Sequence, residues 1–320
     1  MQYQTIPGVT KPVSRIVQGG IMLRANDKAN GFALLDAVYA AGINTIDTAH
    51  VYANGDCERT LGRWIDARGL RDHIVILDKG AHHNHDRRRV TPFDITADLY
   101  DSLARLQTDY IDLYVLHRDD PDVPVEPIVD VLNEHRNAGM IQAFGASNWT
   151  AERVAAANRY AAQAGLAGFV VSSPQYSLAE QVEPPWPGCT TITGDAHADE
   201  RAWYRDTGMA VCCWSSLAHG LFSGRVTAES PSDGVDDVCM RCYASPANFQ
   251  RLERAQQLAR ERGLTAAQLA LAYVLDEGER FFPIVAAYSA EEADANIAAL
   301  DVTLTPEERA WLDLRRDTPA

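Results

Sequence analysis

The sequence predicts an α/β protein built as one closed (β/α)8 TIM barrel, and three observations carry that prediction. Short apolar runs alternate with amphipathic helical stretches eight times along the 320 residues. Continuous apolar runs, each followed by a helix, are the pattern of a parallel sheet covered by helices, and eight repeats suit a closed barrel better than an open doubly wound sheet. Neither Gly-x-Gly-x-x-Gly nor a Walker A sequence follows any run, which argues against a Rossmann or P-loop domain.

The elements follow in order. Residues 14–19 form the first run, with a helix over 27–41; residues 44–47 form the second, with a helix over 55–68. The third run, 73–78, is followed by a helix at 92–106, and the fourth, 110–116, by a helix at 126–137. Runs at 142–146 and 169–172 precede helices at 151–162 and 197–206. The seventh run is 210–214, and the eighth, 281–286, leads into a helix at 290–299.

Two long loops interrupt the repeat after strands six and seven: 182–198, rich in Pro, Gly and Thr, and 215–246, rich in Ser, Gly and Asp. Both follow strands, so both fall on the face where barrel active sites form. Extra C-terminal helices occupy 248–276, with Gly263 as the break and Thr265 as a cap. Thr305-Pro306-Glu307-Glu308 starts a last helix, 305–316, expected to pack outside the barrel. Residues 1–320 therefore read as a single barrel.

Composition narrows the class. The chain is 46% hydrophobic and 23% charged, as in soluble globular proteins. No run of about 18 apolar residues could cross a membrane. Residues 1–10 lack a basic segment followed by an apolar one, so a cytoplasmic location is expected. A net charge of −15 repels nucleic acid and anionic membranes, leaving a small molecule as the expected partner. Cys212 and Cys213 sit in an apolar run and read as core thiols. Cys239 and Cys242 form one Cys-x-x-Cys, read as unlinked loop thiols with a redox pair as the other reading, since a structural zinc wants four ligands.

The chemistry-bearing residues lie at strand ends. Asp47 ends the second run, Tyr52 follows in its loop, Lys79 ends the third run and His117 the fourth. In a barrel these ends converge on one bowl. The set suits carbonyl reduction. A phenol of pKa about 10 is a weak acid, and an adjacent ammonium favours the phenolate and lowers that value. Asp47 would hold Lys79 charged and oriented, and His117 would position the carbonyl oxygen as the oxyanion forms.

Several motifs carry a family resemblance over roughly residues 14–315. They are Asp-Thr-Ala-His-Val-Tyr (47–52), Lys79, Tyr-Ile-Asp-Leu-Tyr-Val-Leu-His (110–117) and Gly-Ala-Ser-Asn-Trp (145–149). Ser-Pro-Gln-Tyr-Ser-Leu (173–178) and Trp-Ser-Ser-Leu-Ala (214–218) complete the set. In their joint order they resemble the aldo-keto reductase family. That resemblance implies an oxidoreductase using NADP or NAD across the barrel mouth. It implies that Ser147, Asn148 and Gln175 bind the carboxamide, that Trp214 stacks on the nicotinamide and that Gly20 and Met22 lie under the ring. Asp47 also counts among the cofactor residues. Ser215, Leu217 and Gly220 would line the pyrophosphate.

One departure concerns the adenosine end, residues Tyr288, Ser289 and Asn296. Tyr288 stands where the family commonly has Arg, Ala295 replaces a Glu, and no Lys or Arg lies between 286 and 296. Without a cation, a 2′-phosphate loses its charge-assisted bonds, so weak discrimination between NADP and NAD is expected.

His50, His82, Arg118, Asp119, Trp149 and Tyr243 are candidate pocket walls. They suggest a polar, sugar-like or polyol-like substrate, with Asp oxygens accepting hydroxyl bonds and Trp149 stacking on a sugar face or serving the core. Two other readings stay open: a cofactor-binding regulatory protein of the same fold with little turnover, and a metal-dependent barrel hydrolase using His82, His83, His85 and His117. No metal is expected, because hydride transfer with a Tyr acid needs none.

Overall fold

The structure, a computed structural model, describes residues 1–226 and 237–319. A short antiparallel hairpin, β1 (Tyr3–Gln4) with β2 (Val13–Ser14), opens the chain. Eight parallel strands then close into a (β/α)8 barrel. They are β3 (Val17–Gly19), β4 (Thr45–Asp47), β5 (Val75–Gly80), β6 (Ile111–Leu116), β7 (Ile141–Ser147), β8 (Val171–Ser173), β9 (Ala210–Cys213) and β10 (Phe281–Val285). The ring closes where Ile284 of β10 pairs with Val17 of β3.

Around it lie α1 (Lys28–Ala40), α2 (Asp56–Arg68), α3 (Pro92–Leu106), α4 (Val125–Asn137), α5 (Ala151–Ala164) and α6 (Ala198–Thr207). The chain continues through α7 (Asp237–Tyr243), α8 (Pro246–Arg262), α9 (Ala266–Leu275), α10 (Ala290–Ala298) and α11 (Pro306–Leu312). Their boundaries follow from local chemistry. Thr91, Thr150, Ser245 and Ser289 each accept a backbone N–H of the first helical turn, and Thr265 and Thr305 form full capping boxes with Gln268 and Glu308.

The alternation of strand side chains explains how a core becomes a site. Val17, Val75, Leu77, Leu113, Val115, Ala143, Val171, Ala210, Cys212, Phe282 and Ile284 pack together inside the barrel. Successive strand residues point to opposite faces, so every second residue shares a face. Stepping two residues on from Thr45, Leu77, Val115, Cys212 and, through Gly145, Ala143 leads to Asp47, Lys79, His117, Trp214 and Ser147. The barrel interior changes from apolar to ionisable within one layer. The residues between them, such as Ile46, Ile76, Tyr114, Leu116 and Phe144, pack outward against the helices.

The opening segment, which precedes the eight runs, packs Ile6, Val9 and Val13 onto the interior side chains and plugs the barrel floor. Two expectations change. The third strand is 75–80 rather than 73–78, because Ile74 N–H bonds back to Leu70 O at 3.0 Å and keeps 73–74 in the turn after α2. Lys79 therefore lies within the strand. The segment 215–246 contains a helix, α7, whose Cys239 and Cys242 are buried thiols; its residues 227–236 lie outside the described residues. Cys57, Cys189, Cys212 and Cys213 are free thiols. No helix of the described residues is long and apolar enough to cross a membrane.

Candidate active site

Tyr52 reaches the bowl through a tight turn after β4. The loop is pinned to β5 by His50 N–H to Lys79 O and Thr48 N–H to Leu77 O, both 2.8 Å, and Tyr52 N–H bonds to Ala49 O at 3.0 Å. Ala53 (φ 48°), Asn54 (φ 53°) and Gly55 (φ 86°) then run left-handed and turn the chain into α2. Two consecutive non-glycine residues in that region are strained, as is common beside working side chains.

Lys79 is the hub. Its ammonium pairs with the Asp47 carboxylate, donates to Thr48 O at 2.9 Å and donates to Tyr52 Oη at 3.4 Å. The His117 ring stands edge-on to Tyr52, centroids 5.6 Å apart, and the His82 ring packs 4.8 Å from His117. His117 Nδ1 is buried with no partner. All four predicted residues therefore meet.

Burial and charge set their protonation. For Lys79, burial works against the ammonium, but the Asp47 and Tyr52 charges and hydrogen bonds outweigh it and raise its pKa. Burial pushes Asp47 up, opposed by Lys79. Burial also pushes the Tyr52 phenol above its ordinary value, exceeding the downward pull of Lys79 and, more weakly, of Arg118. This corrects the expectation of a net acidified phenol: the ammonium does stabilise the phenolate, but desolvation is the larger effect. Tyr52 thus holds its proton at neutral pH. Burial and then the Lys79 and Arg118 charges hold His117 well below the usual imidazole range, so it is neutral.

The residues expected to hold a dinucleotide end or follow the barrel strands. Gly20 donates its N–H to Asp47 O at 2.7 Å, and a Cβ there would meet that same oxygen at 2.7 Å, so only glycine allows this approach. Met22 is half-buried in the following loop. Trp214 is partly exposed at the mouth, and its buried Nε1 has no partner. In the turn that carries Ser215, Leu217 and Gly220, Ser215, Ala218 and His219 all have φ between 51° and 53°. An orphaned indole N–H beside a strained turn fits a bound group.

The carboxamide residues are more engaged than expected. Ser147 Oγ donates to Ser173 O at 2.7 Å, and Asn148 donates to His117 O at 3.2 Å and to Ser147 Oγ at 3.0 Å. Gln175 is fully buried; Oε1 accepts from Thr191 and Thr193, and Nε2 donates to Ser177 at 2.8 Å. Thr190 N–H also donates to Asn148 Oδ1 at 3.1 Å. The sequence reading missed Thr190, Thr191 and Thr193; their Thr-Thr-Ile-Thr run inside the 182–198 loop was the available signal. At the adenosine end, Tyr288 is exposed, its N–H donates to Glu292 Oε2 at 2.8 Å, Ser289 caps α10 and Asn296 is buried.

Among the candidate pocket walls, His82 and Arg118 stand at the bowl, joined by His83, whose ring is 4.2 Å from that of His82. Of the others, Trp149 takes the second of its two expected roles and the rest are corrected. Trp149 is buried against Phe169, with Nε1 donating to Arg118 O at 3.1 Å, so it serves the core. Tyr243 is fully buried and accepts from Gln181. His50 turns toward α3, where Nε2 lies 3.2 Å from Asp101 Oδ2. Asp119 accepts from Arg153 Nε at 2.7 Å. Each is drawn off the pocket by a partner distant in sequence. Among the described residues, no three His, Cys, Asp or Glu side chains are grouped to hold a metal.

Fold and site together define a barrel enzyme with an ionisable bowl at the strand ends. The model of the Aldo/keto reductase family matches residues 15–314, and the chain belongs to that family. A probable aryl-alcohol dehydrogenase of Saccharomyces cerevisiae is 29% identical over 301 residues, covering 90% of this chain and 88% of that protein. A norsolorinic acid reductase of Emericella nidulans is 30% identical over 295 residues, covering 88% and 70%. The structure of a glycerol dehydrogenase from Gluconobacter oxydans superposes with a TM-score of 0.80 at 23% identity, covering 99% of this chain and 96% of that one, and shows the shared fold. The protein is an oxidoreductase of the aldo-keto reductase type, a family that acts with NAD(P)H on small carbonyl and alcohol substrates.

Proposed function

We propose that the protein reduces a polar carbonyl compound, or oxidises the matching alcohol, with Tyr52 as the proton donor. The observation that carries this reading is the Lys79 ammonium set between Asp47 and the Tyr52 hydroxyl, beside a neutral His117. A bound nicotinamide would supply the hydride. Ser147, Asn148 and Gln175 would hold its carboxamide, Trp214 its ring, with Gly20, Met22 and Asp47 beneath. Ser215, Leu217 and Gly220 would hold the pyrophosphate, and Tyr288, Ser289 and Asn296 the adenosine.

His117, neutral, donates one N–H to the substrate oxygen and fixes it near Tyr52. As negative charge gathers on that oxygen, Tyr52 hands over its proton. The phenolate left behind is stabilised by Lys79, whose own charge Asp47 keeps in place. Alcohol oxidation runs the same proton path backwards. His82, His83 and Arg118 stand at the bowl, which suits a polar substrate.

Replacing Tyr52 with Phe tests the reading. The expected result is a loss of kcat of about 10²–10⁴-fold, the usual worth of a general acid, with dinucleotide affinity retained. Equal rates in the two proteins would favour a regulatory protein that binds the nucleotide without turnover.

A further inference from the structure

We infer that the substrate carries an anionic oxygen group, a carboxylate or phosphate, besides its reacting carbonyl, and that Arg118 binds it. The inference rests on the reading of the Tyr52 site as a carbonyl reductase.

Arg118 follows His117 at the end of β6 and is only 7% exposed. Its Nη1 donates to His117 O at 2.9 Å, while Nε is buried with no acceptor. No carboxylate among the described residues forms an ion pair with it. The acids beside it in sequence are committed elsewhere: Asp119 to Arg153 at 2.7 Å and Asp120 to Arg88 at 3.0 Å. Burying an unpaired charge is costly, and a guanidinium does not escape the cost by losing its proton. Such a group is built to meet an anion.

The guanidinium lies beside the bowl, bonded to the carbonyl of His117 at the end of β6. Its charge acts on Tyr52 from the loop after β4, on His82 and His83 after β5, on His117 at the end of β6, and on Cys189 after β8. The competing groups are out of play: Lys79 is held by Asp47, and burial leaves His82 and His83 neutral near pH 7. A planar fork with a free Nε suits a carboxylate or phosphate edge. The cofactor's pyrophosphate is a poor candidate for it. The strained turn proposed for that group follows β9, three strands round the barrel from β6.

The test compares kcat/KM for matched pairs, 4-carboxybenzaldehyde against methyl 4-formylbenzoate and glyceraldehyde 3-phosphate against glyceraldehyde, at saturating NADH or NADPH. Wild type should favour the anionic member of at least one pair by about tenfold or more, the usual strength of a hydrogen bond to a charged group. Which pair shows it separates carboxylate from phosphate. In Arg118→Met the ratio should fall to about one, and in Arg118→Lys it should lie between, because an ammonium keeps the charge without the fork. The ratio cancels any general loss of activity from misfolding. A wild-type ratio near one for both pairs, or a ratio that Arg118→Met leaves unchanged, overturns the inference. If no aldehyde turns over, the reductase reading fails, and calorimetric titration of 4-(hydroxymethyl)benzoate into the dinucleotide-loaded proteins decides the Arg118 assignment. Binding weakened about tenfold in Arg118→Met upholds it; equal binding overturns it.

Discussion

Replacing Lys79 with Met separates the two tasks that its ammonium performs. At 3.4 Å from Tyr52 Oη, and with an effective dielectric of about 20, a full phenolate–ammonium attraction is about 5 kcal/mol. A phenol halfway through proton transfer feels about half of this, about 2.4 kcal/mol, which is about 60-fold in rate. The second task is structural. Asp47 is 4% exposed, and stripping a buried carboxylate of its cation costs about 3–5 kcal/mol unless it takes up a proton. The single variant should therefore be both slower and less stable. Asp47→Asn combined with Lys79→Met removes both charges and should recover most of the stability while leaving kcat down by about 60-fold. Consumption of NAD(P)H followed by absorbance with a small aldehyde gives the rate, and urea midpoints give the stability. A double variant within about threefold of wild-type kcat would refute the argument that the ammonium supports the departing proton.

The buried imidazoles make stability depend on pH. Burial takes His82 down to about 4, and His117 lies well below its ordinary value. The unfolded chain takes up these protons near pH 6.5 and the folded chain does not, so stability is full above about 6.5 and falls as pH drops below it. Urea midpoints should decline between about pH 7 and about pH 5, less steeply in His117→Gln; parallel profiles would contradict the assigned neutrality. A Cβ on Gly80 would sit 1.9 Å from Tyr114 Oη and 2.9 Å from its Cζ. Gly80→Ala should therefore cost about 1–3 kcal/mol, partly recovered by Tyr114→Phe, and an unchanged urea midpoint would show that the strand shifts freely. With Tyr288 in place of a cation and Glu292 at its N–H, NADPH should bind no more than about tenfold tighter than NADH; a hundredfold preference in fluorescence titration would contradict this.

The barrel was legible because its signals are local. Apolar runs at eight places, helix caps such as Thr265 and Thr305, and the left-handed break at Gly263 need only their neighbours in the chain. Asp47, Tyr52, Lys79 and His117 were legible for a related reason: each ends a run or follows it, and a closed barrel sends all run ends to one bowl. The hairpin on the barrel floor escaped notice because its strands are two residues each and their burial depends on the finished barrel. Tyr243, His50 and Asp119 were misplaced for the same kind of reason. Gln181, Asp101 and Arg153, which draw them away from the pocket, are partners that no local pattern announces.

Sequence alone determined the fold class and marked Asp47, Tyr52, Lys79 and His117 as a group that meets at the strand ends, since periodicity and run endings are properties of short stretches. Tertiary structure decided the charge states and the pocket wall: the phenol that burial keeps protonated despite its ammonium neighbour, the imidazoles held neutral, and the guanidinium of Arg118 left without a carboxylate among the described residues. Desolvation and pairing sum over groups brought together from the whole chain, and they take definite values only once the barrel has closed around them.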